Sequence, residues 1–80
     1  MTIAQFPPQL QRPPIGTLIR MERERHRDKQ AYCAARTRIS LRQWKRYEAN
    51  DSSPSLDSIL EIIALYPDLQ VTLMSPHVTR

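Results

Sequence analysis

The placement of proline limits the fold of this chain more than any other feature. Seven of its 80 residues are proline and only one is glycine, and every proline lies outside residues 16–53. Proline interrupts helices and cannot donate to a strand ladder, while tight hairpin turns depend on glycine. The central segment is therefore free to form helices joined by short turns, and a hairpin-rich β fold is disfavoured.

The length of the chain allows one domain with a single small core. Such a core leaves little stability to spare, so we expect a homodimer. No apolar run reaches the ~20 residues that a membrane-spanning helix needs, and the first residues lack the basic and apolar pattern of a secretory signal. These features predict a cytoplasmic protein with no membrane contact.

Positive charge is concentrated in the middle of the chain. Residues 20–48 contain ten Lys or Arg and four Asp or Glu, a net charge of +6, whereas residues 49–80 have a net charge of −3. A localised positive surface attracts polyanions and releases their counterions. The alternative is a solvated helix surface of mixed Arg and Glu with no ligand.

Helical periodicity and capping residues predict three helices in the first two thirds of the chain. The first spans about 15–25 and the second 29–37, with Asp28 as the N-cap of the second. Ser40 is suited to cap a third helix that begins at Leu41, because its hydroxyl can accept from the first-turn amides. Between the second and third helices we expect a tight turn whose Ile39 enters the core.

A fourth helix follows the polar loop 50–53. Ser55 is its predicted N-cap, and Asp57 in the first turn complements the helix dipole. This helix is apolar most of the way around, so more than one face must be buried, and the second face could be a subunit interface. The domain is expected to cover residues 15–66, after a Pro/Gln-rich N-terminal arm at 1–14.

Two structures fit the C-terminal segment 67–80. Residues 69–74, LQVTLM, alternate like a β-strand, which would pair with the same strand of a second subunit in dimerisation. The other interpretation is a short fifth helix that places Leu69, Leu73 and Met74 on the core. The predicted fold class is therefore all-α with four to five helices, with or without this strand.

The third helix separates two kinds of side chain on a 100° helical wheel. One sector contains Leu41, Arg42, Lys45 and Arg46. The opposite sector contains Trp44, Tyr47 and Glu48. The first sector suits phosphate and base edges, and the second suits a hydrophobic partner.

The sequence offers little for catalysis or for a cofactor. Cys33 is the only cysteine and lies in a small apolar run, where filling the core is the simplest role. The two histidines are scattered, and no nucleophile, carboxylate-pair or phosphate-loop pattern occurs. We therefore expect no metal, no cofactor and no enzymatic activity.

One group of residues keeps a fixed spacing without a gap across positions 30–65. Its members are Gln30, Cys33, Ala34, Arg38, Ile39, Ser40, Trp44, Tyr47, Glu48, Asn50, Pro54, Ser55 and Leu56. In these residues and their spacing the segment resembles the Cro/C1-type (XRE-like) helix-turn-helix repressors. Arg38 and Asn50 stand where the family often has glycine with positive φ. The resemblance implies a lambda-repressor-like domain and an ion pair between Arg23 of the first helix and Glu48.

Together, the charge pattern and the resemblance suggest a homodimeric repressor that binds double-stranded DNA at a palindromic operator, controls its own promoter and is associated with the bacterial nucleoid. Arg42 and Arg46 would donate to guanine, Lys45 would contact a base or a phosphate, and Leu41 would meet a thymine methyl. Contacts to the DNA backbone are expected from Arg27, Lys29, Gln30, Arg38, Ser40, Gln43, Asn50, Ser52 and Ser53.

A different class of function also fits this sequence. The apolar excess of the fourth helix and the Pro-rich arm are compatible with an antitoxin-like module that binds a protein partner and for which DNA is secondary. Single-stranded RNA recognition is weaker, because it needs exposed aromatic residues while Trp44 and Tyr47 are expected to face inward.

Overall fold

Five α-helices and no β-strand make up residues 13–74, the part of the chain that the computed structural model describes. They are α1 (Ile15–Arg25), α2 (Gln30–Arg36), α3 (Leu41–Glu48), α4 (Leu56–Leu65) and α5 (Asp68–Met74). The all-α prediction is confirmed, and α2, α3 and the short connection between them have a helix-turn-helix arrangement. Most of the predicted N-terminal arm and residues 75–80 lie outside the described residues.

Two of the three predicted N-caps are present. The hydroxyl oxygen of Ser40 accepts from the amide of Gln43 at 3.0 Å, and that of Ser55 accepts from the amide of Ser58 at 3.1 Å. These bonds satisfy first-turn amides that have no partner within the helix. The first residues of α3 and α4 are therefore the predicted ones.

The predicted cap of α2 is wrong. This helix begins at Gln30, and its N-cap residue is Lys29, which makes no capping side-chain bond. Asp28 has another partner, because its carboxylate accepts a 2.6 Å hydrogen bond from the hydroxyl of Tyr66. The hydrogen bond from Tyr66 therefore occupies the Asp28 carboxylate that the local sequence predicted as the cap of α2.

Residues 68–74 form the helix α5, so of the two structures that fitted residues 69–74 the short fifth helix is correct and the dimerisation strand is wrong. Leu69 is fully buried and Leu73 packs against the core, one turn apart on the same side of α5. A lone strand would leave its backbone groups unpaired, whereas a helix satisfies them internally. Pro67 separates α4 from α5 at a position where its missing N–H costs no helical bond.

The core lies between all five helices. Trp44 and Cys33 have no exposed surface, and Tyr66, the residue between α4 and α5, is 2% exposed. Ile39 enters this core from the turn between α2 and α3, as predicted. The other buried apolar residues are Leu18, Ile19, Tyr47, Ile62 and Leu69.

The sole glycine of the chain marks the closest approach between α1 and α3. A Cβ at Gly16 would lie 1.8 Å from the backbone oxygen of Tyr47 and 2.5 Å from the side-chain oxygen of Asn50. The amide of Gly16 donates to that same Asn50 oxygen at 3.0 Å. Asn50 itself has a φ of 61°, a left-handed conformation that asparagine tolerates well. Arg38, the second position at which the family often has glycine, does not have positive φ.

Candidate nucleic-acid interface

The outer face of α3 carries the side chains that sequence grouped together. Leu41, Arg42, Lys45 and Arg46 are all exposed, with 38% of the Leu41 surface accessible. The opposite face of the same helix is buried. The predicted division of α3 into a solvent face and a core face is confirmed.

The cations on this outer face have no acidic partner within the described part of the chain. Arg42, Lys45 and Arg46 take part in none of the ion pairs found there. The arginines of α1 differ, because Arg20 pairs with Glu24 and Arg25 pairs with Glu22. The positive potential of α3 is therefore left uncompensated, while much of the charge of α1 is cancelled locally.

The inner face of α3 is fixed by the buried carboxylate of Glu48. Arg23 donates to it through Nε at 2.6 Å and through Nη2 at 2.9 Å, so the ion pair implied by the resemblance is present and bidentate. Trp44 adds its indole N–H at 2.5 Å and Gln30 its amide at 3.0 Å. These donors come from α1, α2 and α3, so one carboxylate joins the three helices that surround the candidate interface.

The protonation of this pair follows from the same contacts. Burial by itself would raise the pKa of Glu48, but donation from Arg23, Trp44 and Gln30 outweighs it and holds the pKa below its usual range. The carboxylate in turn raises the pKa of the Arg23 guanidinium. Both groups are therefore charged at neutral pH, and the network is intact under ordinary conditions.

A second network closes the corner between α1 and α2. The ring of His26 stacks on that of Tyr66 with centroids 4.7 Å apart, and Glu22 accepts from Arg25 at 2.6 Å. The Arg25 hydrogen bond lowers the pKa of Glu22 despite its partial burial. The Tyr66 hydroxyl donates to Asp28, and its oxygen lies 3.0 Å from the thiol of Cys33. Arg27, with a φ of 60°, turns the chain here.

An open groove of about 460 Å³ lies next to the Glu48 network. Its lining residues are Arg20, Arg23, Lys29, Gln30, Lys45, Glu48 and Ala49. Gln30, a predicted phosphate contact, donates its amide to Glu48 at this groove. This groove also brings together two exposed lysines, Lys29 at the residue before α2 and Lys45 on α3.

The other predicted backbone-contact residues fall into two groups. Arg27, Arg38, Ser40 and Ser53 are exposed, although Arg38 lies 3.8 Å from the carboxylate of Glu61. Gln43 instead donates to the hydroxyl of Ser52 at 3.1 Å, and Asn50 uses its amide on Gly16 and on Thr17. Side chains of this second group brace the loop between α3 and α4 against the rest of the domain.

Sequence reasoning missed the partners that hold these elements together. The role of Gly16 could have been suspected because it is the single glycine, but the contact with Asn50 spans 34 positions and leaves no local signal. The Tyr66–Asp28 hydrogen bond spans 38 positions, and no local pattern in the sequence indicates it either.

Comparison of the chain with models of known protein families, with curated proteins and with solved structures yields no match. The resemblance to Cro/C1-type repressors therefore stays a prediction. Within residues 13–74, no helix combines the length and apolarity needed to cross a bilayer. Acidic, histidine and cysteine side chains in this part of the chain form no group of three that could hold a metal ion.

Proposed function

We propose that this chain is a sequence-specific DNA-binding repressor that places α3 in the major groove. The observation that carries the proposal is the exposed, unpaired set of Arg42, Lys45 and Arg46 on one face of a helix whose other face is locked into the core. A rigid helix with free cations is what direct readout needs, because the side chains can then meet base edges with little loss of order.

The roles of the four outward side chains follow from their chemistry. Arg42 and Arg46 can each donate two hydrogen bonds to the O6 and N7 atoms of guanine. Lys45 supplies a point charge for a base or for a phosphate at the neighbouring groove. Leu41, at the start of the helix, offers methyl groups to a thymine.

Phosphate contacts from the segments that precede α2 and α3 would set the register of α3 on the duplex. Arg27 and Lys29 precede α2, while Arg38 and Ser40 lie in the turn before α3. The side-chain amides of Gln30, Gln43 and Asn50 already donate within the domain, and Ser52 accepts one of these bonds, so we now assign these four a supporting role. The exposed hydroxyl of Ser40 only accepts there, and its proton can still be donated to a phosphate. The operator is a palindrome if two chains bind as a symmetric dimer.

In the cell, such a protein would act in the cytoplasm, on the nucleoid. It would control its own promoter through its concentration and its self-association. The proposal includes no enzymatic activity and no cofactor.

Selection from a random duplex library, followed by fluorescence anisotropy, tests the proposal. We expect enrichment of one short motif and tighter binding to it than to a scrambled duplex of the same length, at both low and high salt. The upstream DNA of the chain's own gene should contain this motif. Equal, salt-sensitive binding to all duplexes would show that the basic face is only an electrostatic surface and would reject sequence-specific repression.

A protein-binding module is the second candidate, and one observation favours it. Leu56 and Leu60 of α4 are 71% and 56% exposed, which is unusual for large apolar residues one turn apart. Stable co-purification with the product of a neighbouring gene, together with absence of a DNA motif, would favour this role over repression.

A further inference from the structure

The solvent side of α4 carries an apolar stripe. Leu56, Leu60 and Ile63 follow one another at four and then three positions, so they lie along one side of the helix. The two leucines are mostly exposed and Ile63 is half-buried. The core face of α4 is instead centred on Ile62, so this stripe is a second apolar surface of the same helix.

A groove of about 430 Å³ lies beside this stripe, between α4 and the turn that precedes α3. Its lining residues are Arg38, Ile39, Asp57, Ser58, Leu60 and Glu61. One wall is therefore cationic and the other acidic, with apolar side chains between them. Leu60 lines this recess and Leu56 lies one turn before it on the same stripe, so exposed apolar side chains stand next to the recess.

The charges at this groove are poorly matched within one chain. The side chain of Arg38 is 92% exposed, and its Nε lies 3.8 Å from the Glu61 carboxylate, a distance at which a solvated pair contributes little. Asp57 forms no ion pair within the described residues. One cation and two acids thus remain available to a partner.

The surface formed by the stripe, the groove and its charges is self-complementary. In a two-fold interface, residue i of one copy faces residue j of the other and the reverse, so a surface needs both halves of each contact. Here the exposed leucines and the groove belong to the same surface. The cation and the two acids also belong to it. A ligand of a single charge sign would match only part of it.

The distribution of charge favours the same arrangement. Residues 49–80 have a net charge of −3, whereas residues 20–48 have a net charge of +6. Copies that met through the basic face of α3 would repel each other and would cover the unpaired arginines. Copies that meet through α4 leave those arginines uncovered, and Arg38 of each copy then lies near the acids of the other.

We infer that the stripe formed by Leu56, Leu60 and Ile63 binds the same stripe of a second copy of this chain, with Arg38 of each copy facing the acids Asp57 and Glu61 of the other. The pairing itself does not depend on DNA. Its consequence, the fixed spacing of two α3 helices, rests on the proposed function.

Sedimentation velocity over a wide range of concentrations, without DNA, tests the apolar part of the interface. The full chain should sediment as a dimer, and Leu60→Glu should weaken association by at least tenfold. Val71→Glu is the matched control, because Val71 is a 67% exposed apolar residue on α5. It should associate like the wild type, and circular dichroism should show the same helix content in all three proteins.

Reversing the charges of Arg38 and Glu61 in separate variants tests the polar contacts of the interface. Arg38→Glu and Glu61→Arg should each weaken self-association, because like charges then face each other at both ends of a symmetric pair. Mixing the two variants should restore a dimer that contains one copy of each. The contact within one chain is broken in both variants, so it cannot account for recovery on mixing.

Three results would overturn the inference. They are a wild-type chain that is monomeric at every concentration, a Leu60→Glu chain that stays dimeric, and a mixture of charge variants that does not associate. Binding to DNA is read separately, so a dimer without a DNA motif would reject the proposed function alone. A monomer that binds the selected motif would reject only this interface.

Discussion

At the scale of single residues, Glu48 has more influence on the candidate interface than any residue on the exposed face. A buried carboxylate is costly unless it is fully hydrogen-bonded. Glu48 accepts bonds from Arg23, Trp44 and Gln30, and these residues belong to α1, α3 and α2. The orientation of α3 therefore depends on a charge that does not itself face solvent.

Glu48→Ala should destabilise the fold by about 3–5 kcal/mol, because it leaves the half-buried Arg23 guanidinium without its partner. Urea unfolding followed by circular dichroism measures the loss. Glu24→Ala is the control, since the Glu24 side chain is 53% exposed, and it should change stability by less than about 0.5 kcal/mol. An unchanged stability in Glu48→Ala would contradict the anchoring role.

Gly16→Ala should destabilise the chain, although alanine is the better helix former. At an exposed helical site the change would stabilise by about 1 kcal/mol. At Gly16 the new methyl would overlap the backbone oxygen of Tyr47, and overpacking of this kind costs about 1–3 kcal/mol or more. A higher melting temperature for Gly16→Ala would show that α1 and α3 can move apart without loss.

At the scale of elements, α3 and α5 show two ways in which short helices become ordered. Neither is long enough to be stable alone in water. α3 has a capping serine and a strongly divided surface, so its boundaries follow from its own residues. α5 is held by Leu69 and Leu73 against a core formed by distant residues.

The two kinds of DNA contact predicted for α3 and for the start of α2 should respond differently to mutation. Arg46→Ala should cost about 1–3 kcal/mol of operator binding and relax the preference at one base pair. Lys29→Ala should weaken binding to all duplexes alike and reduce the salt slope by about one. Arg36→Ala is the control for the loss of one positive charge. Arg36 is not a predicted DNA contact, and its guanidinium lies 5.6 Å from the ring centroid of Tyr32 on α2. Equal losses on operator and random DNA for Arg46→Ala would argue against base reading.

The docking of α5 can be tested by comparing two of its apolar residues. Leu69→Ala removes a fully buried side chain and should cost about 2–5 kcal/mol. Val71→Ala, at an exposed position of the same helix, should change stability by no more than about 0.5 kcal/mol. Similar effects for the two variants in thermal unfolding would mean that α5 does not contribute to the core.

At the scale of the whole molecule, two carboxylates on one side and a phenol and a thiol on the other link stability to pH in opposite directions. Glu48 and Glu22 have lowered pKa values, so each contributes stability that is complete above its unfolded pKa and is lost as pH falls through the folded pKa. Burial raises the pKa of Tyr66 and of Cys33. Their contribution is complete below their unfolded pKa values and is lost as pH rises through the folded ones.

The unfolding free energy should therefore be greatest near neutral pH and fall below about pH 4.5 and above about pH 9. Urea midpoints measured across this range test the prediction. Glu48→Gln should flatten the acid side of the profile, and Tyr66→Phe should flatten the alkaline side. Parallel profiles for the wild type and both variants would exclude Glu48 and Tyr66 as the source of the pH dependence.

Much of the domain could be predicted from local patterns. The start of α3, the burial of Trp44 and the exposure of Arg42 follow from one capping serine and helical periodicity. The Arg23–Glu48 pair was predicted only through the family resemblance, because no local rule joins residues 25 positions apart. The cap at Asp28 was predicted incorrectly because a distant tyrosine competes for its carboxylate.

The sequence by itself determined the presence of the first four helices, the two faces of α3 and the location of positive charge, since each depends on residues only a few positions apart. Only the tertiary structure decided that residues 69–74 form a helix, that α3 packs closely against Gly16 and that Asn50 accepts from a first-turn amide of α1. It also decided which cations are left free, because pairing depends on which acids the fold brings near. Local chemistry fixes the elements, and long-range contacts select between alternatives that local chemistry leaves nearly equal.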